Sequence, residues 1–415
     1  MQTALGRKFW ISMLIFGLMG QVAWVVENMY FNVFIYKMFN ASAADISAMV
    51  MASAVTAALT TIVMGAVSDK VGKRKAFMSV GYMIWGISII SFAYIRSIML
   101  TIVMDCVMTY FGSTANDAAY NAWLTDRGDS TNRGKIEGVN SMMPLVAVLV
   151  VFGGFMSFNL DEHSAWVTIY YVIGIATTLI GVLGWFIIED EPGLRKTEES
   201  LGETLAYSFR PSVAKSNLTL YITLLNFAVF GISIQIFMPY LIIYYEKTLG
   251  LDNYVLIFAP AILLAAVATV FYGRLYDRIG FMKSTMPVCA MLLAGYAILY
   301  FTHALAAVQA FIGSLLAMTG YLAGMSIFGA MIRDNIPEGR AGQFQGVRII
   351  GQVFVPGLIG PAIGAWVLRD ADMIVNSDGT ESFMPNAQIW SAAGIVIVLL
   401  ALTLVLTMRN VRKEA

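Results

Sequence analysis

The chain has 415 residues, of which 59% are hydrophobic and only 13% charged, and its 26 basic residues balance 26 acidic ones. A water-soluble protein of this length carries about a quarter of its residues as charges, so a soluble enzyme or a nucleic-acid-binding domain is excluded. Cys106 and Cys289 both fall in apolar runs, which excludes a disulfide framework, and His163 and His303 have no partners at metal-ligand spacing.

Twelve apolar runs follow one another along the chain. The first six are Phe9–Tyr36, Ile46–Val67, Ala76–Tyr94, Ile98–Leu124, Ile136–Phe158 and Trp166–Ile188. The second six are Leu218–Tyr245, Tyr254–Tyr276, Ser284–Phe301, Leu305–Ile332, Phe344–Leu368 and Ile389–Met408. Each is long enough to cross about 30 Å of hydrocarbon as a helix. None alternates as a membrane strand does, so the expected class is all-α, with every backbone group satisfied inside its own helix. The first run is too long for a secretory signal, and no small-residue cleavage site follows it.

Charge is distributed unevenly between the loops. With the N-terminus placed in the cytoplasm, 21 of the 26 basic residues fall inside; Lys37, Arg96, Lys247 and Arg369 fall outside, and Arg348 lies within a run. That bias fixes the orientation and puts both termini in the cytoplasm. The expected setting is a bacterial cytoplasmic (inner) membrane, and the expected state a monomer in the bilayer. One long inner loop, rich in Glu, Lys, Ser and Pro, divides the chain into residues 1–190, a flexible linker 191–216 with one surface helix, and residues 217–415. The outer loops are short except Arg369–Ala387, read as a polar surface excursion. No nucleophile–base pair, nucleotide loop or metal spacing is present, so no enzyme and no cofactor are expected.

The halves are repeats. Gly65, Asp69, Gly72 and Lys75 recur as Gly273, Asp277, Gly280 and Lys283, always 208 positions later. At the same offset Asp126, Gly134, Gly138 and Val139 recur as Asp334, Gly342, Gly346 and Val347. Both copies start on the same side, so the two six-helix halves are pseudo-symmetric about the membrane normal, an arrangement that holds substrate near the midplane. The segment from Gly65 to Lys75 resembles the major facilitator superfamily signature between its second and third helices. Met108–Lys135 resembles the fourth helix and following loop of glycoside–pentoside–hexuronide:cation symporters. Gly339–Gly360 is similar to the eleventh-helix region of those symporters and of sucrose carriers. The resemblance implies the major facilitator fold and secondary transport by alternating access.

In the signature loop Gly65 allows close helix approach and Gly72 a tight turn. Asp69 is placed to cap a helix of the opposite half, near Gly342–Gln343, and Asp277 to cap one near Gly134–Lys135. Together with Arg74 and Gly280 these residues form a conformational latch, which the resemblance implies acts on the outward-facing state. The alternative is that Lys70, Lys73, Arg74 and Lys75 only anchor topology.

Ionisable groups inside membrane runs are Glu27, Asp105, Asp117 and Arg348. Each costs about 2.5–3.5 kcal/mol on insertion scales, so each is expected to be paired or functional. At 100° per residue Gln21, Trp24, Asn28, Phe31 and Asn32 share one arc of the first helix, with Glu27 at its edge. Arg348 is expected to pair with Asp117, and Glu27, with no obvious base, to carry a coupling proton; the alternative for Glu27 is a hydrogen-bonded core acid. Asp105 sits nearer the outer surface and reads as structural, Trp123 as an interfacial belt residue. Trp24, Tyr120 and Tyr240 offer aromatic faces, and Asn28, Asn32, Asn121, Asn226, Gln21, Gln235 and Gln352 offer hydroxyl partners, the chemistry of a sugar or glycoside site. Cation symporters of the sugar branch carry paired aspartates where this chain has Ala57 and Thr61. That favours a proton (H+), or no coupling ion at all, over Na+; the fourth run also lacks the arginine common in many proton-driven facilitators, so both alternatives stand. The competing reading is a proton-driven drug or metabolite exporter, but the fifth run lacks the Gly-Pro motif of such exporters.

Overall fold

The computed structural model describes residues 5–127, 133–190, 207–336, 341–376 and 379–414. These residues are helical almost throughout. Among the described residues eleven helices are long and apolar enough to span a membrane, and one shorter apolar helix completes the twelve expected from the sequence. In chain order they are α1 (Arg7–Phe39), α2 (Ala43–Val71), α3 (Lys75–Tyr94), α4 (Ile98–Arg127), α5 (Arg133–Phe155) and α6 (His163–Ile187). The second set is α7 (Leu218–Thr248), α8 (Tyr254–Tyr276), α9 (Arg278–Tyr300), α10 (Ala307–Asn335), α11 (Gly346–Val367) and α12 (Gln388–Val405). Of the linker, residues 207–216 lie within the described residues, and they include the short helix Pro211–Ser216.

The helices form two compact units. The first comprises Met1–Phe39 and Val55–Thr204, the second Asn40–Ala54 and Leu205–Ala415. The first part of α2, up to Ala54, therefore belongs with the second unit. In the first unit α3 and α6 cross closely because small residues face each other. A Cβ added at Gly181 would lie 2.5 Å from the Met83 backbone nitrogen, and one at Gly174 would lie 2.6 Å from the Gly86 carbonyl. Lipid supplies no hydrophobic drive between helices, so such backbone approach and its dispersion contacts hold the pair together. An aromatic cluster closes one end, where Phe31 meets Phe92 at 4.4 Å and Phe34 meets Tyr170 at 5.1 Å. The second unit centres on Trp390, which stands 4.6 Å from Phe237, 5.6 Å from Tyr244 and 5.8 Å from Tyr296. α12 shows how these helices face lipid: Ile397, Leu400 and Leu404 are buried while Ile395, Leu399 and Leu402 are exposed. A helix apolar on both faces is solvated by hydrocarbon on the outer one.

Two features mark the repeat in the backbone. Gly72 and Gly280, 208 residues apart, both adopt positive φ, 67° and 76°. α8 and α9 run on as one helical stretch turned at Gly280. Any other residue there would bring its Cβ against the following carbonyl.

The loop Arg369–Ala387 is more than a surface excursion. It contains an antiparallel hairpin, β1 (Met373–Val375) and β2 (Glu381–Phe383), with Ile374 opposite Ser382. The hairpin holds Asn40 within the same unit. Asn376 Nδ2, Thr380 Oγ1 and Ser382 Oγ donate to Asn40 Oδ1 at 3.3, 3.3 and 3.0 Å. Asn40 itself sits at φ 52°, a conformation Asn tolerates better than most residues. Tyr240, buried beneath this clasp, donates to the Ala43 carbonyl at 2.9 Å.

Candidate functional site

Both polar helices of the first unit widen where their acids sit. α1 contains a π-helical segment at Val26–Phe31 and α4 one at Ser113–Tyr120. A π turn inserts an extra residue, frees carbonyls and re-aims side chains, and such turns concentrate at functional positions. Asn28 Nδ2 donates to the Trp24 carbonyl at 2.8 Å and Asn32 Nδ2 to the Asn28 carbonyl at 3.0 Å. The amides thus satisfy backbone acceptors that a regular helix would pair itself. The regular 100° arc breaks here: Asn28 is exposed, whereas Phe31 and Asn32 are buried.

Glu27 is only 6% exposed and accepts a hydrogen bond from Thr109 Oγ1 of α4 at 2.9 Å. Asp105, one turn before Thr109 on the same face, is 2% exposed and has Glu27 as its charged neighbour. Asp117 is half-buried, with Ser113 and Trp24 as its polar neighbours, and Asn121 Nδ2 donates to its backbone carbonyl at 3.1 Å. Trp24 tilts against Trp85 at 5.0 Å. Gln21, Trp24, Asn28, Asp117 and Asn121 therefore keep accessible surface in this unit.

Tyr120 does not. It is buried, and its hydroxyl points between the Met13 carbonyl (3.0 Å) and Asn140 Oδ1 (3.1 Å). Beside it runs a relay that composition did not reveal: Asn116 Nδ2 donates to the Tyr82 hydroxyl (2.8 Å), which donates to the Phe16 carbonyl (2.6 Å). Gly20 makes room for it, since a Cβ there would lie 2.0 Å from Asn116 Nδ2. Trp123 is no interfacial belt residue. It is 1% exposed, packs on Phe9 at 4.9 Å and donates to the Glu189 carbonyl at 2.9 Å. Its polar tip finds a backbone acceptor inside the fold, the usual condition for burying an indole.

In the second unit α11 carries a π segment at Ile350–Phe354, and within it Gln352 accepts from Arg348 Nε at 3.3 Å. Gln235 packs closely on α11, where a Cβ at Gly360 would come 2.4 Å from its own Cβ. Asn226 is buried, bonded to the Ile222 carbonyl and to Thr403. Of the sequence candidates in this unit, Gln235, Arg348 and Gln352 keep partial exposure, and Asn226 and Tyr240 do not.

The signature loop is centred on Arg74, which is 4% exposed. Its guanidinium donates to Asp126 Oδ2 (2.8 Å), to Ser68 Oγ (2.6 Å) and to Asp69 Oδ1. Burial pulls the Arg74 pKa down, but the hydrogen bonds and charges of Asp126 and Asp69 outweigh it and leave it above its ordinary value. Asp190 Oδ1 caps α3 by accepting from the Arg74 and Lys75 backbone nitrogens, both at 2.8 Å. Asp69 thus has a partner five residues away inside its own unit. The side chains of Gly342, Gln343 and Asp277, on which the latch expectation also rests, lie outside the described residues. In the second unit Tyr276, the counterpart of Ser68, donates directly to Asp334, the counterpart of Asp126. Asp126 and Asp190 carry no signal in sequence beyond their repeat position and the run's end; only the fold shows what they hold.

Two solved structures are similar to this chain over nearly its whole length. The nucleoside transporter NupG (D323A mutant) matches at 13% identity and a TM-score of 0.74, covering 96% of this chain and 99% of its own. A bacterial homologue of the human lysosomal transporter Spinster, in an inward-facing, unoccupied conformation, matches at 15% identity and a TM-score of 0.75, covering 99% of both chains. At such identities the likeness is one of fold. No curated protein sequence matches. The family model of the Major Facilitator Superfamily matches residues 9–361. The chain belongs to the Major Facilitator Superfamily.

Proposed function

We propose that this chain is a secondary carrier that takes up a sugar or glycoside by proton symport through alternating access, in the manner of the glycoside–pentoside–hexuronide and sucrose carriers. The observation that carries the reading is Glu27, a carboxyl buried in a widened turn of a membrane helix and held by Thr109. A charge there is expensive, and neutralisation by a proton removes the expense at each cycle. The half-open set of Trp24, Asn28, Asp117 and Asn121 supports a hydroxylated substrate: the indole suits C–H faces, and the amides and acid suit hydroxyls. Asp117 and Arg348 belong to different units, and their pairing, like the latch role of Asp69 and Asp277, is part of this proposal. So are the bacterial inner membrane, cytoplasmic termini, a monomeric carrier and a proton in preference to sodium.

A thermal-shift screen of sugars, glycosides and common drugs at two pH values tests substrate class and proton linkage together. A ligand present at 100 times its Kd stabilises by about 2.7 kcal/mol. The expected result is a rise in Tm with a sugar or glycoside that differs between the two pH values. A rise with drugs alone would overturn the uptake reading in favour of export.

A further inference from the structure

We propose that the hairpin β1–β2 is a releasable clasp, which holds the first part of α2 on the second unit through Asn40 and lets it go without unravelling either partner. The inference uses neither the sugar nor the proton reading above. α2 is one continuous helix, yet its residues up to Ala54 belong to the second unit and those from Val55 to the first. Alternating access moves one repeat against the other, so a helix divided in this way has to bend or part from one of them. No Pro or Gly lies between Ala43 and Met64 to bend it. The first part therefore comes away as a rigid piece.

The hairpin has a fixed base and a detachable tip. At the base Phe383 is buried and meets Tyr240 of α7 edge to face at 6.2 Å, and Thr248 Oγ1, at the end of α7, donates to the Pro385 carbonyl. At the tip Asn376 Nδ2, Thr380 Oγ1 and Ser382 Oγ converge on the single oxygen Asn40 Oδ1, and Asn40 is exposed. The same three side chains also hold one another: Asn376 Nδ2 reaches Thr380 Oγ1 at 3.1 Å and Ser382 Oγ at 2.8 Å. When Asn40 leaves, the hairpin keeps these bonds and water takes the place of the amide. A hydrogen bond exchanged with water contributes little net free energy, which suits a contact that has to break. Thr248 is the 208-residue counterpart of Asn40. One loop thus engages the matching point of both repeats, one at its base and the other at its tip.

α2 is equally prepared to leave. Ser42 and Asp45 close a capping box on its first turn: Ser42 N and Oγ donate to Asp45 Oδ2 at 2.9 and 2.6 Å, and Asp45 N donates to Ser42 Oγ at 3.2 Å. Its start needs nothing from the hairpin to stay helical. The contacts it leaves behind are small. The Ala43 carbonyl receives the Tyr240 hydroxyl, and Ala54 lies against Gly357, where an added Cβ would come 2.3 Å from the Ala54 Cβ. Such a contact has no interdigitated side chains to withdraw.

Thiol labelling of the full-length protein in lipid nanodiscs reads the release and needs no substrate. Cys106 and Cys289 are replaced by Ala, and Ser47→Cys supplies the probe. Ser47 is 3% exposed and lies four residues after Ala43 and seven before Ala54, on the same helix face. The cationic thiosulfonate MTSET reaches it only when α2 comes away. Asn40→Gly keeps the positive φ and deletes the acceptor, and is expected to raise the labelling rate about tenfold. Asn40→Asp tolerates the same φ and offers the three donors a charge, so it should slow labelling below the parent rate. Thr380→Val with Ser382→Ala breaks the clasp from the hairpin side and should reproduce the rise, which keeps the test alive should Asn40→Gly fail to fold. Ile389→Cys, fully buried in α12 of the same unit, is the control for general loosening. Equal rates in the parent and in the variants that delete the contact would overturn the clasp. So would a parallel rise at Ile389→Cys.

Discussion

Asp126 and Asp334 stand at matching places in the two repeats, and they are held by different means. In the first unit Asp126 receives Arg74, which also gathers Ser68 and Asp69; in the second, Met282 replaces Arg74, and Tyr276 reaches Asp334 alone. The same divergence runs through the membrane spans. Asn116, Asp117 and Tyr120 correspond to Gly324, Met325 and Phe328, and a Cβ at Gly324 would strike the Phe230 ring at 2.4 Å. At these positions the first unit builds a hydrogen-bonded network and the second packs rings and backbone. Among the described residues, buried side-chain polar atoms without a hydrogen bond fall mostly in the first unit, Ser79, Trp85, Asp105 and Tyr170 among them. A duplicated scaffold has kept its helix plan and filled matching positions differently in its two copies.

Substitutions can break or sharpen that contrast. The largest effect is expected for Arg74→Ala, which strands Asp69 and Asp126. It should lower unfolding stability by about 2–3 kcal/mol, below the full penalty for a buried pair because both acids keep some water. An unchanged denaturation midpoint would show that the network is ornamental. Gly20→Ala forces a methyl into the Asn116–Tyr82 relay and should cost about 2 kcal/mol, although its counterpart, Ala228, already carries that methyl in the second unit. Tyr82→Phe removes one donor and one acceptor from the relay, an expected loss of about 1 kcal/mol by the same assay. Gly280→Ala meets no neighbour, so its cost is the positive φ alone, about 1 kcal/mol. Met282→Arg should change stability least, by less than about 0.5 kcal/mol, because Tyr276 already occupies Asp334. A large gain there would mean the two loops are interchangeable.

The helix plan was readable in sequence because the signal was redundant. Twelve long apolar runs, the basic residues gathered in alternate loops and the fixed 208-residue offset all require the same architecture, and Gly72 and Gly280 carry the offset into the backbone dihedrals. The interior was readable only in part. Glu27 is conspicuous as an acid in a membrane run, but a constant turn angle puts Phe31 and Asn32 beside Asn28, and the π segment at Val26–Phe31 moves them into the core. No residue pattern announces a π turn, since it depends on what packs against the helix. Trp123 and Tyr120 were open to two readings because Trp and Tyr serve interfaces and cores alike; the backbone carbonyls of Glu189 and Met13 decide the matter. The hairpin on Asn40 could not be read at all, because its strands are three residues each and its partner lies more than 330 positions away.

The central claim is that a buried acid of the first unit couples transport to protons. It is tested most directly by accumulation of the substrate found in the thermal screen, in proteoliposomes under an imposed pH gradient, with substrate counterflow as the control for folding and binding. The account predicts that wild-type vesicles concentrate substrate, whereas Glu27→Gln vesicles only equilibrate it yet still exchange. Accumulation by Glu27→Gln at the wild-type level would contradict it.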